Sequence, residues 1–139
     1  MLRAVKLNLI LLATALVVSQ GPAFKVRLTP VPIDAATRAT VTGKGSATAT
    51  LTGNKLSISG TFEGLQSPAT VARLHQGRVT GVRGNPIADL AVSKAINGSI
   101  AGSISLTPEQ IDNLRKGRLY IQIYSEKAPD GNLWGWLLR

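Results

Sequence analysis

Short runs that alternate apolar with hydroxyl or charged side chains, punctuated by glycine, asparagine and proline, constrain this chain more than any other feature. Ser46-Ala47-Thr48-Ala49-Thr50-Leu51-Thr52 and Leu56-Ser57-Ile58-Ser59-Gly60-Thr61-Phe62 each repeat with period two, and Gly53-Asn54 lies between them. In a strand, successive side chains point to opposite faces, so such a run buries one face and wets the other. Two such runs around a Gly/Asn turn predict a hairpin. The β pattern holds from Ala39 to Phe62.

The same reading extends along the chain. Phe24 to Leu28 alternates around Lys25 and Arg27 and predicts a first strand, broken by Pro30, Pro32 and Asp34. Gly64 to Ala69 reads as a loop, stopped by Pro68. Thr70 to His75, Ile87 to Val92, Ser99 to Leu106, Leu119 to Tyr124 and Leu133 to Leu138 are further strands. Residues 78–86 form a basic, glycine-containing loop with Arg78 and Arg83, and Pro129-Asp130-Gly131 marks a turn. One short helix is signalled over 107–117. Thr107 is its N-cap, Pro108 its first position, Gln110 completes a capping box, and Gly117 stops it. Many short strands with regular turns and one short helix predict an all-β sandwich.

The chain has 139 residues and no cysteine, so one domain must hold itself together by its core alone. Residues 1–23 do not read as part of it. Arg3 and Lys6 precede an apolar run from Leu7 to Val18, and Ser19, Gly21 and Ala23 follow. That order predicts a signal peptide cleaved between 19 and 23, leaving a single domain over 24–139. The run is about 12 residues, shorter than the roughly 20 a membrane span needs, so no span is expected after signal removal. A retained anchor is the alternative. The expected location is therefore secreted, periplasmic or cell-envelope, and a small exported domain without cysteine leans toward a bacterial envelope. Net charge is +9; less the two cations Arg3 and Lys6, the remainder carries +7. Such a field favours an anionic cell-surface polymer or an envelope protein as partner. The cations are scattered rather than clustered, which also fits ordinary solubilising charge and disfavours nucleic acid.

Two segments carry a resemblance. One is Gly60-Thr61-Phe62-Glu63-Gly64-Leu65 through Val71-Ala72-Arg73-Leu74-His75-Gln76-Gly77. The other runs from Leu106-Thr107-Pro108-Glu109-Gln110 through Gly117-Arg118-Leu119-Tyr120-Ile121-Gln122-Ile123-Tyr124 to Pro129-Asp130-Gly131 and Leu133-Trp134-Gly135-Trp136-Leu137. Together they resemble the CHRD domain, first described in chordin and widespread in bacterial exported proteins. The resemblance implies an immunoglobulin-like or superoxide-dismutase-like antiparallel Greek-key sandwich and little about activity. Members of the family typically carry histidines where Arg73 and Tyr124 stand here, and an arginine where Trp134 stands. Of that histidine set only His75 is present.

Strand alternation gives the candidate site. Arg73 and His75 share one face of their strand, Tyr120, Gln122 and Tyr124 one face of theirs, and Trp134 and Trp136 one face of the last. On adjacent strands these seven would form an outward aromatic–arginine binding face, with Arg78 and Arg83 as weaker anion contacts. Tryptophan, tyrosine and arginine are the residues enriched in binding hot spots. Equally, the tryptophans would cover a small second core beneath the 78–86 loop or an N-terminal segment, and a self-association edge is a third option. Catalytic residues, metal and cofactor are not expected. One histidine falls short of the three or four ligands a metal needs, with Arg73 opposing a cation, and no triad, carboxylate pair or phosphate loop is recognisable. The sequence therefore predicts a non-enzymatic exported binding or structural module. A copper- or zinc-binding or redox-related module is the alternative.

Overall fold

A computed structural model describes residues 21–139. The expected signal peptide lies, but for its last three residues, outside them. Eight strands and one helix follow in order: β1 (Ala23–Pro30), β2 (Lys44–Thr52), β3 (Lys55–Glu63), β4 (Ala69–Gln76), β5 (Asn85–Val92), β6 (Gly98–Ser105), α1 (Pro108–Arg115), β7 (Leu119–Ser125) and β8 (Ala128–Trp136). All strand pairings are antiparallel.

The strands close into a barrel in the order β1-β2-β3-β6-β5-β4-β7-β8, which corrects the expected Greek-key sandwich. Closure comes from two strands that each serve both halves. β1 pairs with β2 from Ala23 to Leu28, then with β8 at Thr29 and Pro30. β5 pairs with β4 as far as Leu90, then with β6 at Ala91 and Val92. Neither half is left with a free edge, which removes the exposed ladder that edge strands otherwise offer to other chains.

The interior is packed. Phe24, Val26 and Leu28 of β1 alternate inward to meet Ala49, Leu56, Ile58, Phe62, Leu74, Ile121 and Leu133, each at most 3% exposed. Outward positions on β2, β3 and β6 are polar: Ser46, Thr48, Ser57, Ser59, Thr61, Ser99 and Ser103 are all exposed. Apolar inside and polar outside is the reverse of a barrel that faces lipid. Gly135 makes the β1–β8 seam possible. A Cβ there would sit 2.5 Å from Val26 Cγ1 and 2.6 Å from the Arg27 carbonyl oxygen.

The helix forms as its caps dictate. The Thr107 hydroxyl accepts from the Gln110 N–H at 3.1 Å, and Gln110 Oε1 accepts from the Thr107 N–H at 3.0 Å. Leu114, fully buried, anchors it to the core while Ile111 packs partly against it.

Two boundaries differ from the sequence pattern. Residues 35–40 form turns, so β structure begins only at Lys44. Pro129-Asp130-Gly131 do not form the turn between the last two strands; Glu126 and Lys127 do, and β8 begins at Ala128. The pairing of β7 with β8 slips between Ile123 and Ser125, so Pro129 to Asn132 bulge out of the ladder. A bulge tolerates the missing proline N–H and the positive φ of Gly131, +130°. It also aims the Asn132 side chain inward. Asn132 Oδ1 accepts from the Ser125 hydroxyl at 2.8 Å and Nδ2 donates to the Thr42 carbonyl at 2.7 Å.

Candidate functional site

The seven residues predicted to share a face do share one, on the outside of β4, β7 and β8. The register sets His75 opposite Tyr120, Arg73 opposite Gln122, and Tyr120 and Gln122 opposite Trp136 and Trp134. The face is not uniformly open, however. His75, Tyr120 and Gln122 are 4%, 1% and 2% exposed. Arg73, Tyr124, Trp134 and Trp136 are half-buried.

The loop over residues 77–84 roofs His75 and Tyr120, while the bulge at Asp130 and Gly131 covers Gln122. Gly84 is the clasp. Its carbonyl accepts from the Tyr120 hydroxyl at 3.1 Å and from His75 Nδ1 at 2.9 Å, and its N–H donates to the Tyr120 oxygen at 3.0 Å. Only glycine fits, because a Cβ at 84 would collide with the Gln76 carbonyl. With Nδ1 carrying the proton toward Gly84, Nε2 is free to accept from the Tyr124 hydroxyl, 2.7 Å away. Burial, then the nearby Arg73 and Arg83 charges, hold the imidazole below its ordinary pKa of 6.5, against the pull of the Gly84 carbonyl. Burial likewise pushes the Tyr120 phenol up.

The rings form one stack. Tyr120 lies against His75 at 4.8 Å between centroids and against Trp136 at 4.4 Å, and Trp134 meets both Tyr120 and Trp136 edge-on. Trp134 also packs on a small cluster of Val31, Val41 and Ala128. The indoles are therefore held rigid from beneath while part of each stays open. Two guanidinium groups border the aromatic face, one at Tyr124 and one at Trp134. Arg73 lies 5.6 Å over the Tyr124 ring and pairs with Asp89 at 3.0 Å. Arg83 lies 6.0 Å from the Trp134 ring and donates to the Asp130 carbonyl at 3.2 Å. Arg78 is exposed on the same loop.

No residue of β1 is among the site residues expected from the sequence, although an N-terminal segment against the tryptophans is one alternative. Thr29 stands opposite Trp134 and Lys25 opposite Leu138, which sets Arg27 across from Trp136. Lys25, Arg27 and Thr29 with the two indoles border a groove of about 300 Å³. Their outward positions were legible from alternation; their neighbour was not, because β1 reaches β8 only through barrel closure.

Among the described residues no group of three or more histidine, cysteine or acidic side chains could hold a metal ion. Both His75 nitrogens are already engaged. No described helix is long and apolar enough to cross a membrane.

Fold and site together define a small closed β-barrel that carries a roofed, arginine-flanked aromatic platform on one outer face. A scan against family models matches the CHRD domain over residues 24–137, nearly the whole described chain, and the chain belongs to that family. None of the curated proteins and none of the solved structures compared with the chain matches it.

Proposed function

We propose that this CHRD protein is an exported, non-enzymatic binding module of the cell envelope or extracellular space, engaging an anionic polymer through the aromatic–arginine face. The observation that carries the reading is the pair of half-exposed, rigidly packed indoles bordered by Arg83 on one side and by Lys25 and Arg27 on the other. Rigid aromatic surface costs little entropy on binding, and guanidinium groups beside it supply directed contacts to carboxylate, sulfate or phosphate. The N-terminal order of cations, apolar run and small residues supports export. The charge of +7 beyond that segment supports an anionic partner. Binding to an immobilised polyanion tests the reading. Retention should fall with rising salt and with Trp134→Ala or Arg83→Ala; no retention even at low salt would refute it.

A further inference from the structure

We infer that the ligand is an anionic polysaccharide, and that it crosses β1 from the indole groove into a second, larger groove on the other side. This rests on the proposed binding reading and names its ligand class.

The second groove, about 840 Å³, runs along the outside of β1, β2 and β3. Lys25, Arg27 and Thr29 line both grooves, so they form a ridge between them rather than the rim of either. All three are exposed. Strand geometry sets Lys25 and Arg27 about 6.7 Å apart on one face. Neither is in an ion pair among the described residues. Glu63 is the one carboxylate lining either groove, and Lys44 neutralises it at 3.5 Å. The ridge therefore presents uncompensated positive charge to whatever lies across it, which calls for anionic groups on the ligand.

The far groove indicates what else the ligand carries. Its lining is largely apolar, with Pro30 and the strand edges at Val26, Leu28 and Phe62, and onto it open the Ser46 and Thr61 hydroxyls and Asn97, whose Oδ1 already accepts from the Gly64 N–H. Side-chain hydroxyls both donate and accept, and so suit a ligand that is itself rich in hydroxyl groups. Indoles on the near side offer flat faces to sugar rings. Indole, cation and hydroxyl thus follow one another across β8, β1, β2 and β3. Three inter-strand steps span about 14 Å, more than one sugar ring can bridge. The site reads a chain, not a monosaccharide.

Polygalacturonate, digalacturonate, neutral dextran, anionic phospholipid vesicles and duplex DNA are the probes, titrated against the intact protein by calorimetry. Polygalacturonate should bind well, digalacturonate weakly and dextran not at all. The Lys25→Ala/Arg27→Ala variant should lose about tenfold or more on the polymer. Ser46→Ala/Thr61→Val should weaken the polymer several-fold while leaving digalacturonate unchanged. These four side chains are exposed, and unchanged circular dichroism would verify folding. Equal affinity per site for short and long chains, with loss confined to Trp134 and Arg83 variants, would overturn this inference and leave the proposed function standing. Binding only to anionic phospholipid vesicles or to DNA, with no glycan bound, would overturn the polysaccharide assignment but not polyanion binding. Binding to none of them would overturn both.

Discussion

His75 and Tyr124 lie 2.7 Å apart through Nε2 and the hydroxyl, in a site where the other imidazole nitrogen is already committed to Gly84. The imidazole thus bonds in its neutral form to the strand beside it and to the loop above it. Protonation would turn Nε2 into a second donor, force the Tyr124 hydroxyl to reverse, and place a third positive charge near Arg73 and Arg83.

A pH dependence of stability follows, and its sign is fixed. The folded-state pKa lies below 6.5 while the unfolded chain retains about 6.5. Between those values the unfolded state binds more protons, so stability rises with pH through the window. Stability should be flat from about pH 7 to 9 and decline as pH falls below 6.5; the raised Tyr120 phenol makes it decline again as pH rises past 10. Asp34 and Asp112, whose carboxyls are held below 3.8 by hydrogen bonds, act only in a separate, more acidic window. Urea unfolding at several pH values checks this. The His75→Phe variant should retain the ring stack and lose the slope near pH 6; a slope that survives the substitution would show that another group causes it.

Gly84 should be the most sensitive position of the roof. Alanine there collides with the Gln76 carbonyl, and the loop must shift to relieve it. That shift breaks both Tyr120 contacts and the His75 contact at once. Gly84→Ala should cost about 2–3 kcal/mol, as overpacking and lost buried hydrogen bonds typically do. Trypsin should then cut at Arg78 or Arg83 far faster than in the wild type, because the loop would spend longer open. Equal cleavage rates would contradict the clasp.

Binding and stability should separate at Arg73. Its pair with Asp89 is substantially exposed, with 39% of the Arg73 and 78% of the Asp89 side chain accessible. Exposed pairs contribute little, so Arg73→Ala should change stability by less than about 1 kcal/mol. Polyanion retention should nevertheless drop, since a charge beside the platform is gone. Chemical denaturation and salt-gradient elution on the same variant measure the two effects independently.

Much of this arrangement was legible in the sequence, for physical reasons that also mark where legibility ended. Alternation is a local property, so Arg73 with His75 and Trp134 with Trp136 could be assigned to faces from the sequence alone. The caps of α1 are equally local, and Thr107 with Gln110 behaves as its spacing requires. What alternation cannot give is the height of neighbouring loops. Tyr120 and Gln122 point outward from the sheet yet lie sealed, Tyr120 because Gly84 folds back over it and Gln122 because the bulge at Asp130 and Gly131 covers it. Nor can it give barrel closure, which depends on β1 exchanging β2 for β8 near its end. Pro129-Asp130-Gly131 misled for a related reason. The same residues suit a turn and a bulge, and only the pairing of β7 with β8 chooses between them.

That closure requires a glycine at 135. The β1–β8 ladder is short, with Thr29 against Trp134, Pro30 against Leu133 and an isolated bridge between Lys25 and Leu138. A methyl group at 135 would press on Val26 Cγ1 and on the Arg27 carbonyl oxygen, which is backbone and cannot rotate away. Gly135→Ala should therefore cost about 1–3 kcal/mol through overpacking. The seam would loosen first, because so few hydrogen bonds hold it. Hydrogen exchange should speed at β1 and β8 before it does at the β2–β3 hairpin, whose nine paired positions lie away from the seam. The freed edge should also make the variant prone to self-association at concentrations where the wild type stays dispersed, which light scattering would detect. A variant that exchanges uniformly faster across all eight strands would show instead that the barrel unfolds as one unit and that the seam is not its weak point.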